Sequence, residues 1–168
     1  MRLSKTPYPL YGRSFPANLL TLYCTFLFFV ISLFSMTIEE KYAYWLELAQ
    51  YDLKSADAMF ETGRWFYVIF MCQQAVEKLC KGLYTLYVDD NVPKIHNIKQ
   101  IFLCFEDKLA VNVSEEKYQI FDSLSAHYLM NRYPDFTRQT NRQTDQNDAE
   151  CLLMKTREVF SWLLTLKP

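Results

Sequence analysis

The polar residues with the most regular spacing in this sequence are Gln73, Glu77 and Lys81, which follow one another at intervals of four. On an α-helix this interval stacks side chains along one edge, and Glu77 placed before Lys81 is the favourable order for an ion pair. Lys78 lies beside them in the chain. Such a row could contact a ligand, or it could be the solvated margin of a core helix, which the pattern by itself favours.

This polar row lies within the clearest helical pattern of the chain, from Arg64 to Val88. Apolar residues three and four apart line the neighbouring face of that helix. They are Trp65, Ile69, Cys72, Val76, Leu79, Leu83 and Leu86. We expect the rest of the chain to pack around this helix.

Length and composition predict an all-α fold. The chain has 168 residues, half of them apolar, and only three glycines, which suits long helices better than a turn-rich sheet. A domain of this size can bury a core without metal or disulfide staples. We therefore predict an up-and-down helical bundle of four long helices plus one short helix.

Capping signals and breaks in the pattern delimit the helices. Thr37 with Glu40 forms a capping box, so the first helix should run from about Ile38 to Glu61, with Asp52 paired on its inner face. Trp45, Leu48, Ala49, Ala56, Met59 and Phe60 should face inward. The remaining helices should cover about 96–109, 115–132 and 147–166, the last capped by Asn147 with Glu150.

The N-terminal residues 1–36 differ from the rest. From Ala17 to Phe34 the chain is almost continuously apolar and uncharged, and basic residues precede this stretch. Eighteen such residues are just long enough for a membrane anchor with the N-terminus inside. A secretory signal peptide fits less well, because the apolar stretch is too long and lacks a small-residue cleavage site.

A third explanation of residues 1–36 is favoured slightly over a membrane anchor. Met36 stands directly before the capping box, so a helical domain over 37–168 would be complete if translation began there. Residues 1–36 would then be an over-extended reading frame. The domain would be cytoplasmic, or membrane-anchored on one side if residues 17–34 are a genuine anchor.

Charge and cysteine usage exclude several function classes. The formal net charge is −1, so a general electrostatic attraction to nucleic acid is absent and any such contact must be local. The five cysteines form no Cys-x-x-Cys pair and suit a reducing compartment. With two histidines far apart in sequence, neither a metal site nor a cofactor is expected.

Three short stretches resemble the HEPN domains (higher eukaryotes and prokaryotes nucleotide-binding), a family of small helical bundles. The run CQQAVEK at 72–78 is similar to their second-helix motif. The run IHNI at 95–98 lies where they carry His-Asp-Leu, and NRYPD at 131–135 resembles the Arg-Tyr-Pro-Asp box of one branch. The resemblance covers about residues 38–166 and implies an all-helical fold.

Many ribonucleases of this family use an arginine followed four to six residues later by a histidine. The histidine acts on the 2′-hydroxyl proton while the arginine neutralises the phosphate. Here His127 precedes Arg132, so the motif is absent and the two side chains point to different faces. Only a dimer interface could join them, so a ribonuclease without metal remains the minority alternative.

The branch with an Arg-Tyr-Pro-Asp box resembles prokaryotic partners of minimal nucleotidyltransferases, often homodimers in toxin–antitoxin-like pairs. This implies a binding module for nucleotide or RNA, in which Arg132 holds a phosphate and Tyr133 stacks on a base. If helix two packs against helix four, Gln73, Glu77 and Lys81 would share a locally basic groove with them, with Lys78 at its rim. A structural dimerisation module without ligand is the second alternative.

Overall fold

The computed structural model describes residues 36–132 and 144–168, except the side chains of residues 128–132. Its helices are α1 (Ile38–Glu61), α2 (Trp65–Tyr87), α3 (Ile98–Leu103), α4 (Glu115–Arg132) and α5 (Gln146–Leu164). A 3₁₀ turn at Glu106–Lys108 follows α3, and the described part contains no strand. The prediction of four long helices plus one short helix is therefore confirmed.

Local interactions at the helix ends shape the antiparallel hairpin of α1 and α2. The Thr37 backbone N–H donates to Glu40 Oε2 at 2.7 Å, while the Glu40 N–H donates to Thr37 Oγ1 at 3.1 Å. Gly63 has φ +70°, a left-handed conformation that reverses the chain without a Cβ penalty. Both signals are local, which is why the sequence reveals them.

Helix α2 is the centre of the bundle, because α1, α3, α4 and α5 all pack against it. Leu79 and Leu83 on α2 are fully buried. At one end of the core, Phe102 meets Phe105, Phe121 and Trp162 with ring centroids 5.0, 5.3 and 5.7 Å away. Aromatic contacts thus join α3, α4 and α5 around the helix that carries the polar row.

The third helix is shorter than predicted. Asn97 caps it, its Oδ1 accepting from the Gln100 N–H at 2.9 Å, and α3 ends at Leu103 rather than near 109. The N–H of Cys104 and that of Phe105 donate to carbonyls three residues back, which tightens the chain into 3₁₀ geometry. This turn brings the Phe105 ring parallel to the Tyr87 ring, 5.8 Å between centroids.

One predicted cap was wrong, and two residues expected on the inner face of α1 lie at its edge. Asp145, not Asn147, caps α5, because its Oδ1 accepts from the Asp148 N–H at 2.9 Å. On α1, Trp45 and Leu48 are half-buried and lie outside the core cluster, whereas Tyr42, Ala49 and Ala56 form the buried face. Helix α1 approaches α2 closely at Gly82, where a Cβ would lie 3.1 Å from Trp45 Cβ and 3.3 Å from Tyr42 Cδ2.

The apolar N-terminal segment, up to residue 35, lies outside the described residues. Among the helices that are described, none combines the length and the apolar character that crossing a membrane requires.

Candidate functional site

The carboxylate of Glu77 is the centre of a polar network on α2. Gln73 Nε2 donates to Glu77 Oε2 at 2.6 Å, and Lys81 Nζ donates to Glu77 Oε1 at 2.7 Å. Gln74 Nε2 extends the network by donating to Gln73 Oε1 at 2.6 Å. Residues spaced by four therefore do bond along one edge of the helix, as their sequence spacing predicts.

This row is buried, which contradicts the solvated margin that the pattern alone favoured. Gln73, Glu77 and Lys81 keep 0%, 4% and 8% of their surface exposed. The Lys81 ammonium also lies 5.9 Å from the Trp45 ring centroid, within cation–π range. A charge removed from water is costly unless it is paired and hydrogen-bonded, and here Glu77 and Lys81 satisfy each other.

His96 brings the loop before α3 to the same carboxylate. Its Nδ1 lies 3.1 Å from Glu77 Oε1 and 3.3 Å from Oε2, and its side chain keeps 40% of its surface exposed. The N-cap of α3 is the adjacent Asn97, not His96. His96 is instead the solvent-facing member of the Glu77 network.

The lysines of the predicted basic groove are both paired with carboxylates. Lys81 is bound to Glu77, and Lys78 Nζ donates to Asp52 Oδ2 on α1. The expectation that Asp52 is paired is thereby confirmed, and its partner is a lysine on α2. Because each positive charge has a counter-charge in contact, these four residues do not form the locally basic surface that the sequence predicted.

Helix α4 passes directly beside the His96 loop. The Ile98 N–H donates to Ser125 Oγ at 2.9 Å, and Lys99 Nζ reaches Asp122 Oδ2 at 2.9 Å. From Ser125 the helix continues seven residues to Arg132, about 10 Å at ~1.5 Å per residue. The last two turns of α4 thus extend beyond the position where Ile98 contacts this helix.

For Arg132, the predicted phosphate ligand, the structure describes only the backbone, which ends α4. The side chain of Arg132 and the whole of Tyr133 and Asp135 lie outside the described part of the structure.

His127, the other residue of the ribonuclease alternative, is half-buried on α4. Burial lowers the pKa of its imidazole, and the negative charge of Asp148 opposes this shift only in part. The neutral imidazole is thus favoured, which is the form that can accept a proton.

In the part of the chain that the structure describes, no three His, Cys, Asp or Glu side chains converge on one point. Cys72 and Cys80 are buried between helices, and burial raises the pKa of Cys72 to about 12. Such thiols act as small apolar side chains rather than nucleophiles.

Sequence reasoning found three members of the network and missed the roles of His96 and Gln74. The spacing of four pointed to Gln73, Glu77 and Lys81. No spacing rule connects His96 to Glu77, and its only signal was that it lies in the second family-like stretch, after a proline-containing loop.

Comparison with known proteins identifies the fold. The family model of the HEPN domain matches residues 42–166. The crystal structure of TT1696 from Thermus thermophilus is similar to this chain with a TM-score of 0.65 at 23% identity, covering 76% of this chain and 98% of that one. At that identity the likeness shows the fold alone. A comparison with curated proteins gave no match.

The family match includes most of α1 and all of α2, α3 and α4, and it extends to the end of α5. It contains the complete Glu77 network. The chain therefore belongs to the HEPN domain family and is a nucleotide- or RNA-associated helical module.

Proposed function

We propose that this chain binds a phosphate-bearing nucleotide or RNA at the edge of α2, beside the last turns of α4. The observation that carries the proposal is the buried Glu77 network with His96 at its solvent-facing end. A buried ion pair contributes little net stability compared with apolar packing. Its presence in the central helix is better explained by positioning a surface group than by stabilising the core.

The proposed roles follow from burial and charge. Glu77 holds His96, while Gln73 and Lys81 hold Glu77, so these three buried residues act from behind the binding surface. Lys78 remains at the rim, with 23% of its side chain exposed and Asp52 as counter-charge. Arg132 supplies the main phosphate contact and Tyr133 a stacking surface, as the family resemblance implies.

Binding of fluorescently labelled single-stranded RNA and of ATP to the full chain tests this proposal. Arg132→Ala should weaken binding by roughly 1.5–3 kcal/mol, the value of a hydrogen bond to a charged group. Lys78→Ala should weaken it less and in a salt-dependent way, because its charge is already paired. The matched control is Lys155→Ala, since Lys155 is exposed on α5.

Equal affinity in the wild type and all three variants would contradict the ligand site. His96→Ala supplies an independent check, because it removes the exposed member of the network and leaves Glu77 bound to Gln73 and Lys81. We expect it to lower affinity while the helical content measured by circular dichroism stays unchanged.

The second candidate is a ribonuclease that needs no metal, and the neutral imidazole of His127 is the observation in its favour. Incubation of the full chain with single-stranded RNA and with tRNA, with and without chelator, separates the two. Cleavage that persists with chelator and is lost in both Arg132→Ala and His127→Ala would make the ribonuclease the better description.

We further propose that the module works as the partner of a minimal nucleotidyltransferase in a toxin–antitoxin-like pair, with the family resemblance as its support. The reading frame next to this gene tests it directly. A neighbouring nucleotidyltransferase that co-purifies with the chain would support the pairing. A neighbouring nucleotidyltransferase that does not bind the chain would contradict it.

A further inference from the structure

A strip of side chains along α2 remains open, although most of this central helix is buried. The strip consists of Tyr67, Met71, Gln74 and Lys78, which are spaced by four, three and four residues and so share one side of the helix. Tyr67 keeps 51% of its surface exposed, and the other three are half-buried. The strip runs beside the buried Glu77 network, along the edge of α2 where the ligand is proposed to bind.

The orientation of the Gln74 amide follows from the chemistry of its neighbours. An ionised carboxylate only accepts hydrogen bonds, so Gln73 must turn its Nε2 towards Glu77 Oε2, which lies 2.6 Å away. The Gln73 Oε1 atom is therefore the one that accepts from Gln74 Nε2, at 2.6 Å. Glu77 thereby fixes which end of each amide is oxygen and which is nitrogen. Gln74 is left with its Oε1 and one N–H.

The carbonyl oxygen of Gln74 is an unused acceptor on a half-buried side chain. Among the residues that the structure describes, none donates a hydrogen bond to it. Both amides donate in the direction of the Glu77 carboxylate, and consecutive hydrogen bonds in one direction polarise one another, which makes Gln74 Oε1 a stronger acceptor. Such an oxygen is suited to accept an N–H from a ligand.

The spacing along the strip fits the size of a nucleotide. Gln74 and Lys78 are four residues apart, which is about 6 Å along the axis at ~1.5 Å per residue. A nucleotide lying along the strip can therefore place its phosphate at Lys78 and its base at Gln74. Tyr67, two turns closer to the start of α2, offers an exposed ring on which a neighbouring base of an RNA strand can stack.

We propose that Gln74 reads the base of the bound nucleotide or RNA and selects adenine. This inference rests on the proposed function and adds to it the chemical class of the base. The amino group of adenine donates to Gln74 Oε1 while a ring nitrogen accepts the remaining N–H, as glutamine side chains pair with this base elsewhere. Uracil fits less well, because its ring N–H lies between two carbonyl oxygens and the single N–H of Gln74 can satisfy only one of them.

Binding of three fluorescently labelled oligoribonucleotides of equal length to the full chain tests the proposal. One contains adenosine, one uridine and one purine riboside, which is adenosine without its amino group, so all three carry the same phosphates. The adenosine oligomer should bind roughly fivefold more tightly than the purine riboside oligomer, the effect of one neutral hydrogen bond. The uridine oligomer should bind no better than the purine riboside oligomer. Comparing ATP with purine riboside triphosphate shows whether a mononucleotide suffices or RNA is needed.

Gln74→Leu is the most specific variant, since leucine is of similar size and lacks both polar atoms. This variant should bind the adenosine and purine riboside oligomers equally tightly. Gln119→Leu, on the exposed side of α4, is the matched control and should keep the preference for adenosine. Circular dichroism of both variants confirms that the helices persist.

Glu77→Gln tests the origin of the amide orientation. An amide at this position can donate as well as accept, so it no longer imposes one orientation on Gln73 and Gln74. The ratio of the affinities for the adenosine and purine riboside oligomers should therefore fall, whatever the change in the affinities themselves. An unchanged ratio would contradict the assigned orientation.

Three results would overturn the proposal. A wild type that binds the adenosine and purine riboside oligomers equally tightly would show that the amino group is not read, while the phosphate site proposed above would stand. A preference for adenosine that persists in Gln74→Leu would assign base recognition to another residue. Failure of the wild type to bind any of the three oligomers or ATP would contradict the proposed function itself, and the selection of adenine with it.

Discussion

His96 Nδ1 lies 3.1 Å from Glu77 Oε1, although the two residues are nineteen apart in the chain and belong to different segments. This contact connects a partly exposed imidazole to a carboxylate that is otherwise buried with Lys81 and Gln73. Through this contact the row of i,i+4 pairs on α2 extends from the centre of the bundle to the surface. Removing the Glu77 carboxylate should therefore affect both the stability of the fold and the position of His96 at the surface.

Glu77→Ala should destabilise the fold by about 3 kcal/mol, because it leaves the buried Lys81 ammonium without its counter-charge. Glu77→Gln should cost less, since the amide oxygen can still accept a hydrogen bond. The free energy of unfolding from urea denaturation measures both. The control Glu158→Ala, on the exposed side of α5, should stay within about 0.5 kcal/mol of the wild type.

Asp145→Ala should destabilise the protein by about 1 kcal/mol, the usual effect of losing a helix N-cap. Asn147→Ala should change stability little, because Asn147 lies inside the first turn of α5 and is not its cap. Urea denaturation of the two variants compares the cap in the structure with the cap that the sequence pattern favoured. A larger loss in Asn147→Ala would place the helix start two residues later.

Gly82→Val should destabilise the α1–α2 hairpin by roughly 1–3 kcal/mol, the usual effect of overpacking a close contact. The Cβ alone would already lie 3.1 Å from Trp45 Cβ and 3.3 Å from Tyr42 Cδ2. Thermal unfolding measures the change. Ala126→Val on the exposed face of α4 is the control for placing a β-branched residue in a helix.

Thiol labelling should separate the described cysteines into two classes. Burial raises the pKa of Cys72 to about 12 from its ordinary 9.0 and also raises the pKa of Cys80, so both remain protonated thiols at pH 8. Cys104 and Cys151 are exposed and should react first. Mass spectrometry after iodoacetamide treatment identifies each labelled residue. Equal labelling of Cys72 in folded and urea-unfolded protein would contradict this.

The same burial predicts a loss of stability at high pH. In the unfolded chain Cys72 ionises near pH 9, whereas in the folded chain it stays protonated to about pH 12. Since the unfolded state alone releases this proton, stability is full below pH 9 and falls as pH rises from 9 towards 12. Cys72→Ala should flatten this part of the pH profile, measured by urea denaturation.

A shortened chain that starts at Met36 should fold alone, because α1 carries its own capping box and the core residues lie within 42–166. Circular dichroism of the shortened chain should show the helical signal expected for α1 to α5. A shortened chain that is insoluble or lacks helical signal would show that residues 1–35 contribute to the core.

Local patterns in the sequence determined where α1 and α2 form. The apolar spacing from Arg64 to Val88 predicted α2, and Thr37 with Glu40 predicted the start of α1. Each signal involves residues within one or two turns of one another, so the chain carries it without its neighbours. The family-like stretches likewise predicted a helical bundle that the structure and the family match confirm.

Tertiary packing alone decided which faces are covered and what the polar residues do. Periodicity predicts that Gln73, Glu77 and Lys81 share an edge, but it cannot reveal that this edge is buried or that His96 meets it. Likewise, the missing side chain of Gly82 lets α1 approach closely, and the Trp45 ring centroid lies 5.9 Å from the Lys81 ammonium. Burial depends on distant residues, and only the assembled bundle brings them together.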